Sequence, residues 1–432
     1  MATIATTASK SSTSPSFLSQ LTPTQQQGLS NQLHAFVVRH ASHHRPIVLV
    51  TSGGTAADLE VNAVRSLDNF STGLRGAISV EQFLSKGYAV VHLWRLGSAS
   101  PYGRILSQAL GIAQANHGIT NEAFGKLLCG ADNDDDDDCL VNKVLQVDPW
   151  LTESTPAGEA TIGRLGLAKS DGSLGLHRRL IHHSQLQKAV RERKASEGRL
   201  LTVSFRTVEE YLAKLELCAT SLKDSQSMAM CYLAAAVSDF YVAKKSHHKI
   251  QSDGHVLTLE LHPVPKCLGS LKEIWCPDAM TVSFKLETDH TILRKKAEKA
   301  VYKYGVNMVI GNLLQSRHEK VWILHSDKEG ASVQDWDMHE IAKATGGGDV
   351  DALEEAIVEF CVQQHFEFIS KNYMGDISQL EHSQQELRQK KFQLQRQVLR
   401  KRVQQGAFQL GGGLLGMTLS YIISKALQKR LK

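Results

Sequence analysis

The chain has 432 residues, 42% hydrophobic and 22% charged, a composition that supports a packed core and excludes wholesale disorder or a collagen-like chain. Its formal net charge of +5 is unevenly spread, because residues 382–432 hold 11 Lys and Arg against one acid, Glu386. The body is therefore mildly acidic, which argues against a nucleic-acid partner, and any attraction to anionic surfaces belongs to the tail.

Residues 1–45 read as a disordered or helical extension. The first 20 are rich in Ser and Thr and lack the apolar stretch of a secretory signal. The core is expected to open at Pro46. Ile47-Val48-Leu49-Val50 is an apolar, β-branched run, hence a buried strand, and it ends in the turn Thr51-Ser52-Gly53-Gly54-Thr55. Gly73 to Lys86 reads as a helix with Ala77, Val80, Phe83 and Leu84 on one face and Ser71 or Thr72 as its cap. Gly87 stops it and Tyr88–Trp94 is the next strand. This β-loop-α-β order predicts a parallel sheet with crossovers.

The stretch from Ser98 to Gly198 is less regular and holds an acidic insert near 119–180. Asp132 and the run Asp134–Asp138 read as a solvated polyanion rather than a metal site, and His182-His183 as surface. Order returns with a strand at Leu200–Phe205, a helix at Val208–Leu222 and a buried strand at Met230–Val237. Leu257–Leu261 alternates like a hairpin arm. Thr281–Phe284 and Val306–Ile310 flank the Lys-rich helix His290–Tyr304, Val321–Leu324 adds a strand, and Val350–Ile369 closes as a helix. The pattern predicts an α/β domain over residues 46–372. Its sheet is open, mostly parallel and Rossmann-like, with helices on both faces.

Residues 373–432 read as a basic helical tail. Its segment 407–424 carries no charge, and Gly412 and Gly416 have the spacing that lets helices pair closely in lipid. Its length is at the short end of the roughly 17–25 residues of a bilayer span, so weak membrane association is expected. The seven cysteines are scattered, without a CxxC pair, which argues against a disulfide framework or a structural zinc and for a reducing, cytoplasmic setting.

Three segments carry candidate chemistry. The turn after the first strand can bring backbone N–H groups to an anion, although it is neither a GxGxxG fingerprint nor a P-loop. Asp68-Asn69-Phe70-Ser71-Thr72-Gly73 precedes a helix whose free N–H groups also favour anions, with Arg65 and Gly76 nearby. Ala234-Ala235-Ala236-Val237-Ser238-Asp239 puts three small residues and an acid at the C-terminal end of a strand, the edge where open α/β sheets bind ligands. Lys249 follows in a loop.

Together with Ser283-Phe284-Lys285-Leu286-Glu287-Thr288-Asp289 and Gly311-Asn312-Leu313-Leu314, these segments resemble, in order and over roughly Pro46 to Phe368, the eukaryotic phosphopantothenate–cysteine ligases of coenzyme A synthesis. The resemblance implies that 4′-phosphopantothenate is joined to L-cysteine through an acyl-nucleotide. ATP rather than CTP would be consumed, with Mg²⁺ neutralising the triphosphate. It also implies that Gly53, Ser71, Gly73, Gly76, Phe284 and Asn312 line the nucleotide site, and that Asn69, Ala235, Ala236 and Asp239 hold phosphopantothenate. Lys249 would close over the acyl-nucleotide. Asn69, Asp239 and Lys249 are the residues expected to carry the chemistry. A homodimer is implied, with Arg65 reaching the substrate phosphate of the neighbouring subunit. A non-catalytic regulatory subunit on the same fold is the alternative. A dinucleotide-dependent oxidoreductase is excluded by the missing fingerprint.

Overall fold

A computed structural model describes residues 16–105, 183–252, 256–325, 337–343 and 351–372. The acidic insert with Asp134–Asp138, His182, the first 15 residues and the tail with its segment 407–424 lie outside the described residues.

The first strand, β1 (Ile47–Ser52), is buried along its whole length. It runs parallel to β4 (Ala89–Arg95) on one side and to β6 (Ala229–Leu233) on the other. Two short strands, β2 (Ala56–Asp58) and β3 (Ser66–Asp68), pair with each other outside the main sheet. Beyond β4 lies β5 (Leu200–Phe205). On the far side of β6 come β9 (Met280–Glu287), β10 (Met308–Leu313), β11 (Lys320–His325) and β12 (Asp337–Ala342). A second small arm pairs β7 (Phe240–Val242) with β8 (Leu261–Pro263). The eight-stranded sheet has the order β12-β11-β10-β9-β6-β1-β4-β5. Six strands are parallel, and β11 and β12 join antiparallel at one edge. The open, mostly parallel α/β sheet expected from the sequence is present.

Alternate residues of β1 feed opposite faces. Val48 and Val50 pack with Val80, Phe83 and Leu84 of α2 (Leu74–Ser85) and with Leu353, Ile357 and Val358 of α6 (Ala352–Asn372). Ile47 and Leu49 pack with α4 (Val208–Ser221) and with α1 (Pro23–Ala41). Helices α3 (His183–Ala195) and α5 (His290–Tyr304) are the other long helices among the described residues. None of these helices is long and apolar enough to cross a membrane.

Several expectations are corrected. The core does not open at Pro46: α1 buries Leu33, Phe36 and Val37, and its start is fixed by a capping box in which Thr22 and Gln25 exchange side-chain-to-backbone hydrogen bonds. Ser71 and Thr72 do not cap α2. The cap position is Gly73 in the left-handed region, and no side chain caps the helix. The strand expected over Met230–Val237 ends at Leu233, because the chain then swings toward β1, where Ala236 N–H donates to Gly53 O at 2.8 Å. Of the expected arm Leu257–Leu261, Leu261 alone enters a strand. β12 was not expected.

Candidate active site at the switch point of the sheet

From β1 the chain builds outward through β4 and β5, then returns to place β6 on the other side of β1. The loops leaving β1 and β6 therefore diverge, and the crevice between them is where an open α/β sheet binds ligands. Here the two loops are stitched together. Thr55 N–H donates to Ala236 O at 3.1 Å, answering the bond from Ala236 to Gly53. Ala235 N–H donates to Thr51 Oγ1 at 3.1 Å. Thr55 Oγ1 accepts from Ser238 N–H at 2.8 Å and donates to Ser238 Oγ at 2.9 Å. Small side chains at Ala235 and Ala236 leave the backbone open to a ligand.

Asn69 is drawn into the same lattice. Its N–H donates to Thr55 O at 3.1 Å, and its Oδ1 lies 3.4 Å from Ser238 Oγ. The preceding carboxylate, Asp68, is gripped by both terminal nitrogens of Arg95 at the end of β4, and Arg95 Nη1 also donates to Gly54 O at 3.0 Å. Arg95 thus ties the Asn69 segment to the glycine turn. That role is not visible in the sequence, where Arg95 falls just past the expected strand Tyr88–Trp94.

The implied nucleotide residues gather at the start of α2. Gly53 (φ 88°) and Gly73 (φ 72°) both occupy the left-handed region that favours glycine. Ser71 Oγ is 3.4 Å from Gly73 N, and Ser52 Oγ donates to Gly73 O at 3.0 Å. Gly76 lies directly against the Ser52 side chain, with no room for a Cβ, so α2 sits close on β1. Phe284 of β9 packs edge-to-face on Tyr232 with ring centroids 5.0 Å apart, and the Tyr232 hydroxyl meets Ser79 Oγ of α2 at 3.1 Å.

Asn312 of β10 is buried, and both ends of its amide are in use. Oδ1 accepts from Arg75 of α2, and Nδ2 donates to Lys285 O at 3.3 Å. Arg75 in turn reaches Arg317 O and Glu354 of α6, the latter at 3.2 Å. Arg75 thus ties Asn312 to α6 and to the Arg317 backbone, a role that nothing in the sequence pattern singles out.

Arg65 and Lys249 belong to a different part of the surface. Arg65 donates from its backbone and from Nη1 to Glu60 at 2.9 and 2.8 Å, and from Nη1 to Ile250 O at 2.9 Å. Glu60 is fully buried. Burial pushes its carboxyl up, but hydrogen bonds from Arg65 and Ile250 hold it below the ordinary carboxylate value. Lys249 is exposed on the loop beside Ile250. Asp239 is exposed and paired with Lys266 at 2.6 Å. No hydrogen bond or ion pair joins Arg65, Lys249 or Asp239 to Asn69 among the described residues. Nor do three or more His, Cys, Asp or Glu side chains gather there to hold a metal ion.

Residues 201–345 match the family described as DNA/pantothenate metabolism flavoprotein C-terminal domain. The human phosphopantothenate–cysteine ligase is 35% identical over 337 residues, covering 77% of this chain and 91% of that one. Phosphopantothenate–cysteine ligase 1 of Arabidopsis thaliana is 39% identical over 281 residues, 64% of this chain and 71% of that one. Among solved structures, a mutant Cab2 in complex with phosphopantothenate-cysteine superimposes with a TM-score of 0.59 at 29% identity, covering 81% of this chain and 96% of that one.

Proposed function

This chain belongs to the phosphopantothenate–cysteine ligase family, and we propose from that premise that it joins phosphopantothenate to cysteine at the expense of ATP. The observation that carries the reading is the shared lattice of the β1 and β6 loops, which sets Asn69, Ala235 and Ala236 beside the glycine turn at the switch point.

In the first step the substrate carboxylate attacks the α-phosphate of ATP, forming a mixed acyl-phosphate anhydride and releasing pyrophosphate. In the second the cysteine amine attacks the acyl carbon, loses a proton, and the nucleotide leaves as the monophosphate. Two anions must meet in the first step, so catalysis rests on positioning and on fixed positive charge and dipoles. Gly53, Ser71, Gly73 and Gly76 shape the start of α2, whose free N–H groups suit the phosphates. Phe284 supplies a wall, and Asn312 fixes Arg75. Asn69 faces the activated acyl oxygen, Ala235 and Ala236 let pantothenate lie on the backbone, and Asp239 takes its hydroxyl and amide groups. Lys249 closes from its loop. Mg²⁺ would come with the triphosphate and neutralise part of its charge, since no His, Cys, Asp and Glu cluster among the described residues would hold it apart from the nucleotide.

The two arms point to a second copy. Val61, Val64, Leu67 and Phe70 beside β2 and β3, and Phe240 and Leu261 on β7 and β8, are exposed apolar side chains, with Phe70 93% exposed. A homodimer would cover them. Arg65, 38% exposed with Nη1 already used, would turn its remaining guanidinium edge to the neighbour's substrate phosphate. A cytoplasmic setting with weak membrane association through 407–424 rests on the sequence alone. Fractionation of the full chain against a truncation at Gln405 tests it, and a soluble full chain in the presence of anionic lipid overturns it.

The function is tested by pyrophosphate release from ATP that depends on phosphopantothenate. Release is expected, with product formed when cysteine is added. Binding of both substrates without release would instead mark a non-catalytic subunit.

A further inference from the structure

Strand β9 outruns its neighbour β6. Their pairing ends at Leu233 opposite Ser283, whereas β9 continues beside β10 as far as Glu287. Lys285 therefore stands past the end of β6, level with the stretch where Ala234–Ala236 have turned toward β1. Phe284 packs on the α2 face of the sheet, so by strand alternation Lys285 leaves from the other face. There it has four charged neighbours: Lys266, Asp239, Glu287 and Lys296.

Two of those cations are already matched. Lys266 pairs with Asp239 at 2.6 Å, and Lys296 with Glu287 at 2.8 Å. Lys285 is left over. Its side chain is half-buried, yet no hydrogen bond or ion pair is made by its ammonium among the described residues. Burial, seconded by Lys266, pushes its pKa below the ordinary lysine value. A half-desolvated cation without a partner costs stability. Its carbonyl, meanwhile, holds Asn312, and the residue before it is Phe284. The backbone of Lys285 thus touches a nucleotide residue, Asn312, while its ammonium lies on the other face near Asp239, the acid given to phosphopantothenate.

We infer that Lys285 is a further catalytic residue: its ammonium binds the oxygens at the junction of substrate carboxylate and ATP α-phosphate, supplying positive charge where the two anions meet. This rests on the ligase reading and deepens it. The partner missing from the folded chain is an anion, and the bound reactants bring one to this place. Charge fixed in advance, in a site from which water is partly excluded, acts on the transition state without reorganisation.

The test is exchange of labelled pyrophosphate into ATP, dependent on phosphopantothenate and run without cysteine, which reports the first step alone. Lys285→Gln is expected to slow exchange by about 100-fold, the usual cost of one lost transition-state donor. Lys285→Arg should restore part of the rate. Thermal unfolding without ligands gives a separate reading: the Gln variant should melt at or above the wild-type temperature, because an unpartnered cation has been removed. Lys285→Met provides a second neutral variant of similar length. Exchange within threefold of wild type in both neutral variants would overturn the inference. So would a melting temperature several degrees below wild type in both, since that makes Lys285 structural. If the wild-type protein itself shows no phosphopantothenate-dependent exchange, the ligase reading fails first and takes this role with it.

Discussion

The carbonyl oxygen of Asn69 occupies the space a Cβ on Gly54 would need. The glycine turn and the Asn69 segment are therefore one close-packed unit, held also by the bond from Asn69 N–H to Thr55 O. Gly54→Ala must push the two apart. We expect a destabilisation of about 1–3 kcal/mol, the usual cost of overpacking, and at least a tenfold fall in ligation because Asn69 moves. Urea unfolding and steady-state kinetics on the same preparation check both. An active, unshifted Gly54→Ala would disconnect Asn69 from the site.

Asn69→Asp changes one atom of shape and adds a negative charge against an anionic intermediate. Asn69 Oδ1 is also within reach of Ser238 Oγ, a contact that a carboxylate keeps. The fold should therefore hold while turnover drops by about 100-fold or more. Circular dichroism and product formation are the measurements, and wild-type turnover would remove Asn69 from the chemistry.

A shared site can be tested by complementation. Arg65→Ala and Asp239→Asn are each expected to be inactive as homodimers, and mixing them with subunit exchange should recover part of the activity, because a heterodimer holds one site with both residues intact. Arg65→Ala also strips Glu60 of its ion pair, so the mixing is done well below the melting temperature. No recovery after proven exchange counts against Arg65 acting on its neighbour.

Acid should weaken the fold through its buried histidines. His365 accepts from the Tyr88 hydroxyl at 2.8 Å and donates to Ser227 O at 3.0 Å, so it is neutral in a fully buried site. Burial lowers its pKa from 6.5 to about 4. His92, buried on β4 without a hydrogen-bond partner for either ring nitrogen among the described residues, is lowered by burial to about 3. The unfolded chain takes up protons first as the pH falls. The stabilisation is present in full above pH 6.5 and is lost as the pH drops through 4. A melting temperature lower by on the order of 5 °C or more at pH 4.5 than at pH 7 is expected, and His365→Gln should flatten that slope. A slope unchanged in His365→Gln would place the acid sensitivity elsewhere.

Elements that declare themselves locally were legible in the sequence. β1 is a continuous apolar run because it is buried on both faces, and α5 begins at an Asp289 cap and ends on Gly305 in the left-handed region. β12 was not legible. Its sequence, Asp337–Ala342, mixes Asp, His and Glu with apolar residues, as an edge strand tolerates, and its existence depends on β11 being there to pair with. The segments that resemble the ligases could be read because they are contiguous. Arg75 and Arg95 could not, since each acquires its meaning from a partner far along the chain, Asn312 and Asp68. Likewise the cap of α2 was misread because Ser71 and Thr72 are good capping residues by type, whereas the chain needs a left-handed Gly73 to fit under Ser98 and Ser52.

The stitched loops of β1 and β6 also have a mechanical consequence. Residues that exchange backbone hydrogen bonds with one another at 2.8 and 3.1 Å, over a buried Thr55 and Ser238, move together or not at all. The floor of the crevice is one hydrogen-bonded unit, and a shift in either loop is passed to the other. Beyond it lie the β2–β3 and β7–β8 arms, bridged to each other between Glu60 and Ser246, and the loop of Lys249 that hangs from the same Glu60. A substitution that loosens Glu60 would therefore be felt in both arms and in the Lys249 loop at once.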